Sequence, residues 1–124
     1  MSYILVVDNE LDQVSAVIET LREFRITCIP AYDGLSALDI IQEGPKGIVG
    51  VFTDLDLSKG GINGLEVIVF ARVRKPGLPA ALVTAQRPPD GFPSTEYDFY
   101  IEKPTDLETV RETAREMLRL GGVF

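Results

Sequence analysis

Val49-Gly50-Val51-Phe52-Thr53-Asp54-Leu55-Asp56-Leu57-Ser58 is a short apolar run that closes on an acidic residue and passes into a loop. A buried parallel strand ends this way when its last residue must meet solvent. The next stretch, Ser58-Lys59-Gly60-Gly61-Ile62-Asn63-Gly64, is rich in turn residues, and Leu65-Glu66-Val67-Ile68-Val69-Phe70-Ala71 reads as a helix. This places Asp54 at the carboxyl end of a strand, where open α/β sheets put their ligand sites.

The same pattern recurs on both sides. Tyr3-Ile4-Leu5-Val6-Val7 is a β-branched run that ends at the polar cluster Asp8-Asn9-Glu10. Leu11, Val14, Val17, Ile18, Leu21 and Phe24 follow at helical spacing, with Asp8 or Asn9 expected as the N-cap. Ile26-Thr27-Cys28-Ile29 reads as a second strand, and Asp33-Gly34 as a turn. Leu35, Ala37, Leu38, Ile40 and Ile41 form a second helix, stopped by Gly44-Pro45. The third strand covers 48–54, and the third helix runs from about Gly64 to Arg74, ending at Lys75-Pro76-Gly77.

Ala80-Ala81-Leu82-Val83 is a fourth strand that ends at Thr84-Ala85, and Phe99-Tyr100-Ile101 a fifth that ends at Glu102-Lys103-Pro104. Between them, Gln86-Arg87-Pro88-Pro89-Asp90-Gly91-Phe92-Pro93 holds three prolines and a glycine, a poor helix former. Thr105-Asp106-Leu107-Glu108 fits a capping box. Leu107, Val110, Ala114, Met117 and Leu118 line the last helix, which stops at Gly121-Gly122. Strand and helix alternate, and the strands are continuously apolar, so the expected class is α/β: a parallel sheet covered by helices on both faces. With 124 residues the chain is one domain, spanning 1–124.

The net charge of −7 disfavours nucleic acid and anionic membranes as direct partners, since both reward Lys and Arg. Cys28 is the only cysteine and lies in an apolar run, so it reads as a buried structural thiol rather than a reactive one. No charged leader and no apolar run of bilayer length is present, which makes the cytoplasm the expected compartment. There is no histidine, which excludes His-based acid–base catalysis and His metal ligands within this chain.

Four strand ends carry Asp8-Asn9, Asp54, Thr84 and Lys103. In a parallel sheet these ends share one edge, so the residues can converge. Acidic and amide oxygens suit a hard cation such as Mg²⁺. A hydroxyl and an ammonium beside a carboxylate suit an anionic oxygen group, and together the set fits phosphoryl transfer onto a carboxylate. Each residue also has a plainer reading: Asp8 and Asn9 as helix caps, Thr84 as an ordinary strand residue, Lys103 as a loop charge, Asp54 as a strand-end acid. Their joint placement on four strand ends favours the chemical reading.

These stretches resemble the receiver domain of two-component response regulators over essentially the whole chain. Ile4-Leu5-Val6-Val7-Asp8-Asn9-Glu10 is similar to the family's first strand and acidic pair, and Val51-Phe52-Thr53-Asp54 to its phosphoacceptor strand. Asn63-Gly64-Leu65-Glu66, Val83-Thr84-Ala85 and Tyr100-Ile101-Glu102-Lys103-Pro104 match the start of the third helix, the switch-hydroxyl strand and the Lys-Pro pair. The resemblance implies a flavodoxin-like (βα)5 fold, doubly wound, with a five-stranded parallel sheet in the order 2-1-3-4-5. It implies that Asp54 takes a phosphoryl group from a phosphohistidine on a sensor histidine kinase or histidine phosphotransfer protein. Asp8, Asn9, Asp54 and the main-chain carbonyl of Asp56 would hold Mg²⁺. Lys103 and Thr84 would contact the phosphoryl oxygens, and Thr84 and Tyr100 would shift together to alter contacts with a downstream protein target. No output domain is expected after the last helix.

The chain departs from the family in three places. Asn9 stands where a second acid is usual, so weaker Mg²⁺ binding is expected. The loop from Asp54 to Gly64 is about two residues longer than usual, a change surface loops tolerate, with Ser58 where Pro is common. Asp56 adds a carboxylate at the rim. The segment 86–97 predicts a shortened or degenerate fourth helix on the face used for dimerisation and output. A homodimer remains compatible with the sequence, though not necessarily of the usual geometry, and a specific partner is the other expected use of that face. Two further functions compete. One is a degenerate receiver that binds partners without phosphate, favoured by Asn9. The other is a phosphatase of the haloacid-dehalogenase type, because Asp54-Leu55-Asp56-Leu57-Ser58 resembles that family's nucleophile motif; the reversed order of motif and metal acids argues against it.

Overall fold

The computed structural model describes residues 2–57, 61–85 and 96–123. Five strands, β1 (Tyr3–Val7), β2 (Thr27–Ala31), β3 (Ile48–Thr53), β4 (Ala80–Thr84) and β5 (Phe99–Glu102), form one sheet in the order β2-β1-β3-β4-β5. Every neighbouring pair is parallel. The helices α1 (Leu11–Leu21), α2 (Gly34–Glu43), α3 (Gly64–Arg74) and α4 (Leu107–Leu120) complete the described elements, with a short 3-10 turn at Arg22–Phe24. This is the expected doubly wound, flavodoxin-like arrangement. Residues 86–95 lie outside the described residues, and with them the expectation of a shortened or degenerate fourth helix.

The two faces of the sheet bury separate cores. On one, Leu5, Val7, Val51 and Leu82 pack against Ala37 and Ile41 of α2 and Leu65, Ile68 and Ala71 of α3. On the other, Ile4, Val6, Phe52 and Val83 pack against Val14, Val17 and Leu21 of α1 and Val110, Ala114, Met117 and Leu118 of α4. All residues of β1, β3 and β4 are buried, which is why these strands read as unbroken apolar runs. The register between β1 and β3 slips by one residue between Tyr3 and Ile4. Gly50 follows that slip, and a Cβ there would come within 2.2 Å of Met117 Sδ, so the missing side chain lets α4 sit close to the sheet.

Three local expectations change. β2 continues through Pro30 to Ala31 rather than stopping at Ile29; it is an edge strand, where a residue without an N–H is tolerated. The N-cap of α1 is Glu10, not Asp8 or Asn9, because the Asp8 carboxylate is engaged elsewhere. The N-cap of α4 is Asp106, whose side chain accepts from the Glu108 N–H at 3.1 Å, so the capping box on Thr105 does not form. The Thr105 hydroxyl instead accepts from Gln13 Nε2 at 2.6 Å. The helices α2 and α3 carry side-chain caps. Asp33 accepts from Ser36 N–H, and Asn63 and Glu66 form a reciprocal capping box on α3. Cys28 is half-buried, and that burial pushes its thiol up to about 11. Among the described residues no helix is long and apolar enough to cross a membrane.

Candidate phosphoacceptor site

Asp8, Asp54 and Lys103 are the first residues past the ends of β1, β3 and β5, and the parallel ladder still holds their backbones, while Thr84 is the last residue of β4. Asp8 N–H donates to Ala31 carbonyl at 3.1 Å, Asp54 N–H to Val7 carbonyl at 2.9 Å, and Lys103 N–H to Thr84 carbonyl at 3.1 Å. Each residue is thus fixed by the neighbouring strand at the moment it leaves the sheet. The peptide bond from Lys103 to Pro104 is cis.

Lys103 joins the two central acids. Its Nζ donates to Asp8 Oδ2 at 2.8 Å, Asp54 Oδ2 at 2.9 Å and Glu10 Oε1 at 3.2 Å. Asp8 and Asp54 are buried, with overall exposures of 3% and 6%. Burial works against the Lys103 ammonium, but its bonds to Asp8 and Asp54 and their charges outweigh that and hold its pKa above the ordinary value. Burial pushes the Asp8 carboxyl up, against the pull of Lys103. Asp54 Oδ1 faces the Asp56 N–H at 3.4 Å, and Asp8 Oδ1 accepts from the Glu10 N–H at 3.0 Å.

The backbone of Asp54 is clamped from below. The buried Thr53 hydroxyl donates to the Asp54 carbonyl at 2.9 Å, and Gly64 N–H donates to the Leu55 carbonyl at 2.9 Å. A Cβ on Gly64 would lie 1.9 Å from the Asp54 carbonyl oxygen. Only glycine lets α3 begin this close to the strand end.

A cleft of about 240 Å³ is lined by Asn9, Glu10, Asp54, Asp56, Thr84 and Lys103. The structure therefore brings together Asp8, Asn9, Asp54, Asp56, Thr84 and Lys103, as the strand-end argument requires. Tyr100 stands off the cleft: it is half-buried in β5, opposite Leu82 of β4, with its ring centroid 6.2 Å from that of Tyr97. The sequence pattern assigns no site role to Glu10 or Thr53, and to Gly64 only the start of the third helix. Glu10 was visible only as part of a polar cluster, and its return across the cleft depends on the turn after β1.

Asp8, Glu10 and Asp54 each place a carboxylate oxygen within 4.8 Å of the others. The donor set is all oxygen, partly buried and negatively charged, which suits a hard divalent cation such as Mg²⁺ rather than a soft metal.

Comparison with solved structures decides the fold. A receiver domain from the hybrid histidine kinase CckA superimposes with a TM-score of 0.79 at 25% identity, covering 94% of this chain and 99% of that one. The signal receiver domain of an HD domain-containing protein from Pseudomonas fluorescens gives a TM-score of 0.84 at 18% identity, covering 99% and 98%.

The chain has the response regulator receiver fold.

The chemotaxis protein CheY4 of Vibrio cholerae matches the same receiver architecture with a TM-score of 0.78 at 22% identity, over 95% of this chain and 99% of its own. No family model matches the sequence, and no curated protein does either. The receiver likeness is thus carried by the backbone rather than by overall sequence.

Proposed function

We propose that this chain is a phosphoacceptor of two-component signalling, with Asp54 as the residue that takes the phosphoryl group. The observation that carries this reading is the Lys103 ammonium seated between Asp8 and Asp54 in an open cleft of a receiver fold. An Asp54 carboxylate oxygen forms a bond to phosphorus as the P–N bond to the donor imidazole breaks. The electron pair stays on that nitrogen, which takes a proton from solvent. Because this chain has no histidine, the donor belongs to another molecule, a sensor histidine kinase or a histidine phosphotransfer protein.

Asp8, Asn9, Asp54 and the main-chain carbonyl of Asp56 would hold Mg²⁺, which when bound supplies positive charge against the phosphoryl oxygens. Lys103 neutralises a further phosphoryl oxygen, and the Thr84 hydroxyl donates to one. Thr84 and Tyr100 lie on adjacent strands, so a shift of Thr84 toward the phosphoryl group is transmitted to Tyr100 and to the surface a downstream protein reads. The reading takes the chain as a single receiver domain that works in the cytoplasm by protein contacts and not as an enzyme with a small-molecule product.

Intact mass after incubation with Mg²⁺ and acetyl phosphate tests the proposal. One added phosphoryl group on the wild type and none on Asp54→Ala is the expected result. No adduct on a folded wild type with excess Mg²⁺ overturns it.

A further inference from the structure

We propose that the Glu10 carboxylate supplies the second acidic charge of the cation site, the charge that Asn9 lacks. The inference rests on the reading of the cleft as a Mg²⁺-dependent phosphoacceptor site and adds a residue to it. Asn9 lines the cleft and offers an amide oxygen, a dipole without net charge. Without Glu10, the buried Asp8 and Asp54 carboxylates would face a divalent ion with only Asp56 beside them at the rim.

Glu10 is placed to change that balance. Its N–H is bonded to Asp8 Oδ1 at 3.0 Å, so the turn leaving β1 is closed and the Glu10 backbone is held beside the site. Its side chain then runs back over the cleft to Lys103, at 3.2 Å. There it joins Asp8 and Asp54, with oxygens of all three within 4.8 Å of one another. The Glu10 side chain is 66% exposed, whereas the Lys103 side chain it meets is 11% exposed. An ion pair with one partner so wet contributes little to stability. What the arrangement does provide is a third negative charge at the mouth of a cleft whose floor holds the other two. A cation held by the Asp8 and Asp54 oxygens would meet that charge at the rim. Coulomb's law in a water-like, salt-screened medium makes one such charge worth roughly threefold to tenfold in affinity for a divalent ion.

The test is a calorimetric Mg²⁺ titration of the full chain without phosphodonor. Glu10→Gln weakens binding threefold to tenfold, while Asp12→Asn, which removes an exposed acid from the first turn of α1, changes it less than twofold. Adding Asn9→Asp to Glu10→Gln restores wild-type affinity. Equal affinity of Glu10→Gln and wild type overturns the inference, and so does an equal loss from Asp12→Asn, which would mark a bulk charge effect. A merely structural Glu10 would lower the unfolding midpoint without metal and leave Mg²⁺ affinity intact. The phosphoacceptor reading fails separately: a wild type that takes no phosphoryl group sinks that reading even where the Mg²⁺ affinities fall in the stated order.

Discussion

Lys103 Nζ lies 2.9 Å from Asp54 Oδ2, joining residues 49 positions apart in sequence. With Asp8 on its other side, that ammonium sits between two buried carboxylates and offsets their mutual repulsion. Lys103→Met therefore lowers stability at neutral pH by about 3 kcal/mol or more, the cost of leaving buried charge uncompensated. The Asp8 carboxyl, already pushed up by burial, then loses the pull of Lys103 and rises further above its unfolded value. Stability of the variant is greatest in acid and falls as pH rises through that value. In the wild type the raised Lys103 pKa contributes stability that is full at neutral pH and is also lost with rising pH, but only as the solution becomes strongly alkaline. Urea unfolding from mild acid through neutral to strongly alkaline pH, with and without Mg²⁺, checks both statements, and Mg²⁺ narrows the gap for the variant.

Mg²⁺ binding weakens in acid earlier than ordinary aspartates would predict. Burial pushes the Asp8 carboxyl above its usual range, and a protonated carboxyl is a poor ligand. Calorimetric titrations from pH 8 down into the ordinary carboxylate range should show affinity falling before that range is reached. Affinity that stays flat until ordinary aspartates titrate would contradict the raised Asp8.

Gly64→Ala disables the site from the backbone. The added Cβ would lie 1.9 Å from the Asp54 carbonyl oxygen, and backbone cannot step aside as a side chain can. The start of α3 must move, at a cost of about 1–3 kcal/mol, and Asp54 moves with it. Phosphorylation from acetyl phosphate drops at least tenfold, where tenfold corresponds to about 1.4 kcal/mol. Gly61→Ala is the control. Gly61 has φ +70° with open space around its missing Cβ, so the variant loses about 1–2 kcal/mol of stability and keeps phosphorylation.

The fold was legible because β1, β3 and β4 are buried on both faces, and a strand buried on both faces is apolar throughout. The convergence of Asp8, Asp54, Thr84 and Lys103 followed from parallel topology alone. Caps were less legible, since a cap depends on what else its side chain can reach. Asp8 is taken up by Lys103 and Thr105 by Gln13, and both contacts cross more than ninety residues of sequence. Glu10 escaped notice for the same reason: nothing local reports that its long side chain folds back to Lys103. Pro30 looked like the end of β2 because a strand's edge position is a property of the sheet and not of the strand.

The far end of the same strands is pinned by Asp98, and this gives a prediction that separates stability from chemistry. Asp98 Oδ2 accepts from Ala80 N–H at 2.9 Å and from Arg72 Nη2 at 2.8 Å, while Arg72 Nε donates to the Leu78 carbonyl at 3.0 Å. The start of β4, the residue before β5 and the end of α3 are tied in one knot. Asp98→Ala removes two bonds at once and costs about 1–3 kcal/mol. Asp98→Asn can keep the bond from Ala80 and loses mainly the charge of a partly exposed pair, so it costs less than about 1 kcal/mol. Thr84 and Glu102 close the other end of these strands, four residues on and so about 13 Å away. Chemical denaturation should rank the two variants in that order, and both should take up a phosphoryl group at close to the wild-type rate while folded. A large loss of phosphorylation in folded Asp98→Asn would mean that the β4–β5 pair transmits strain along its length, and that the strand ends are not independently fixed by their own ladder bonds.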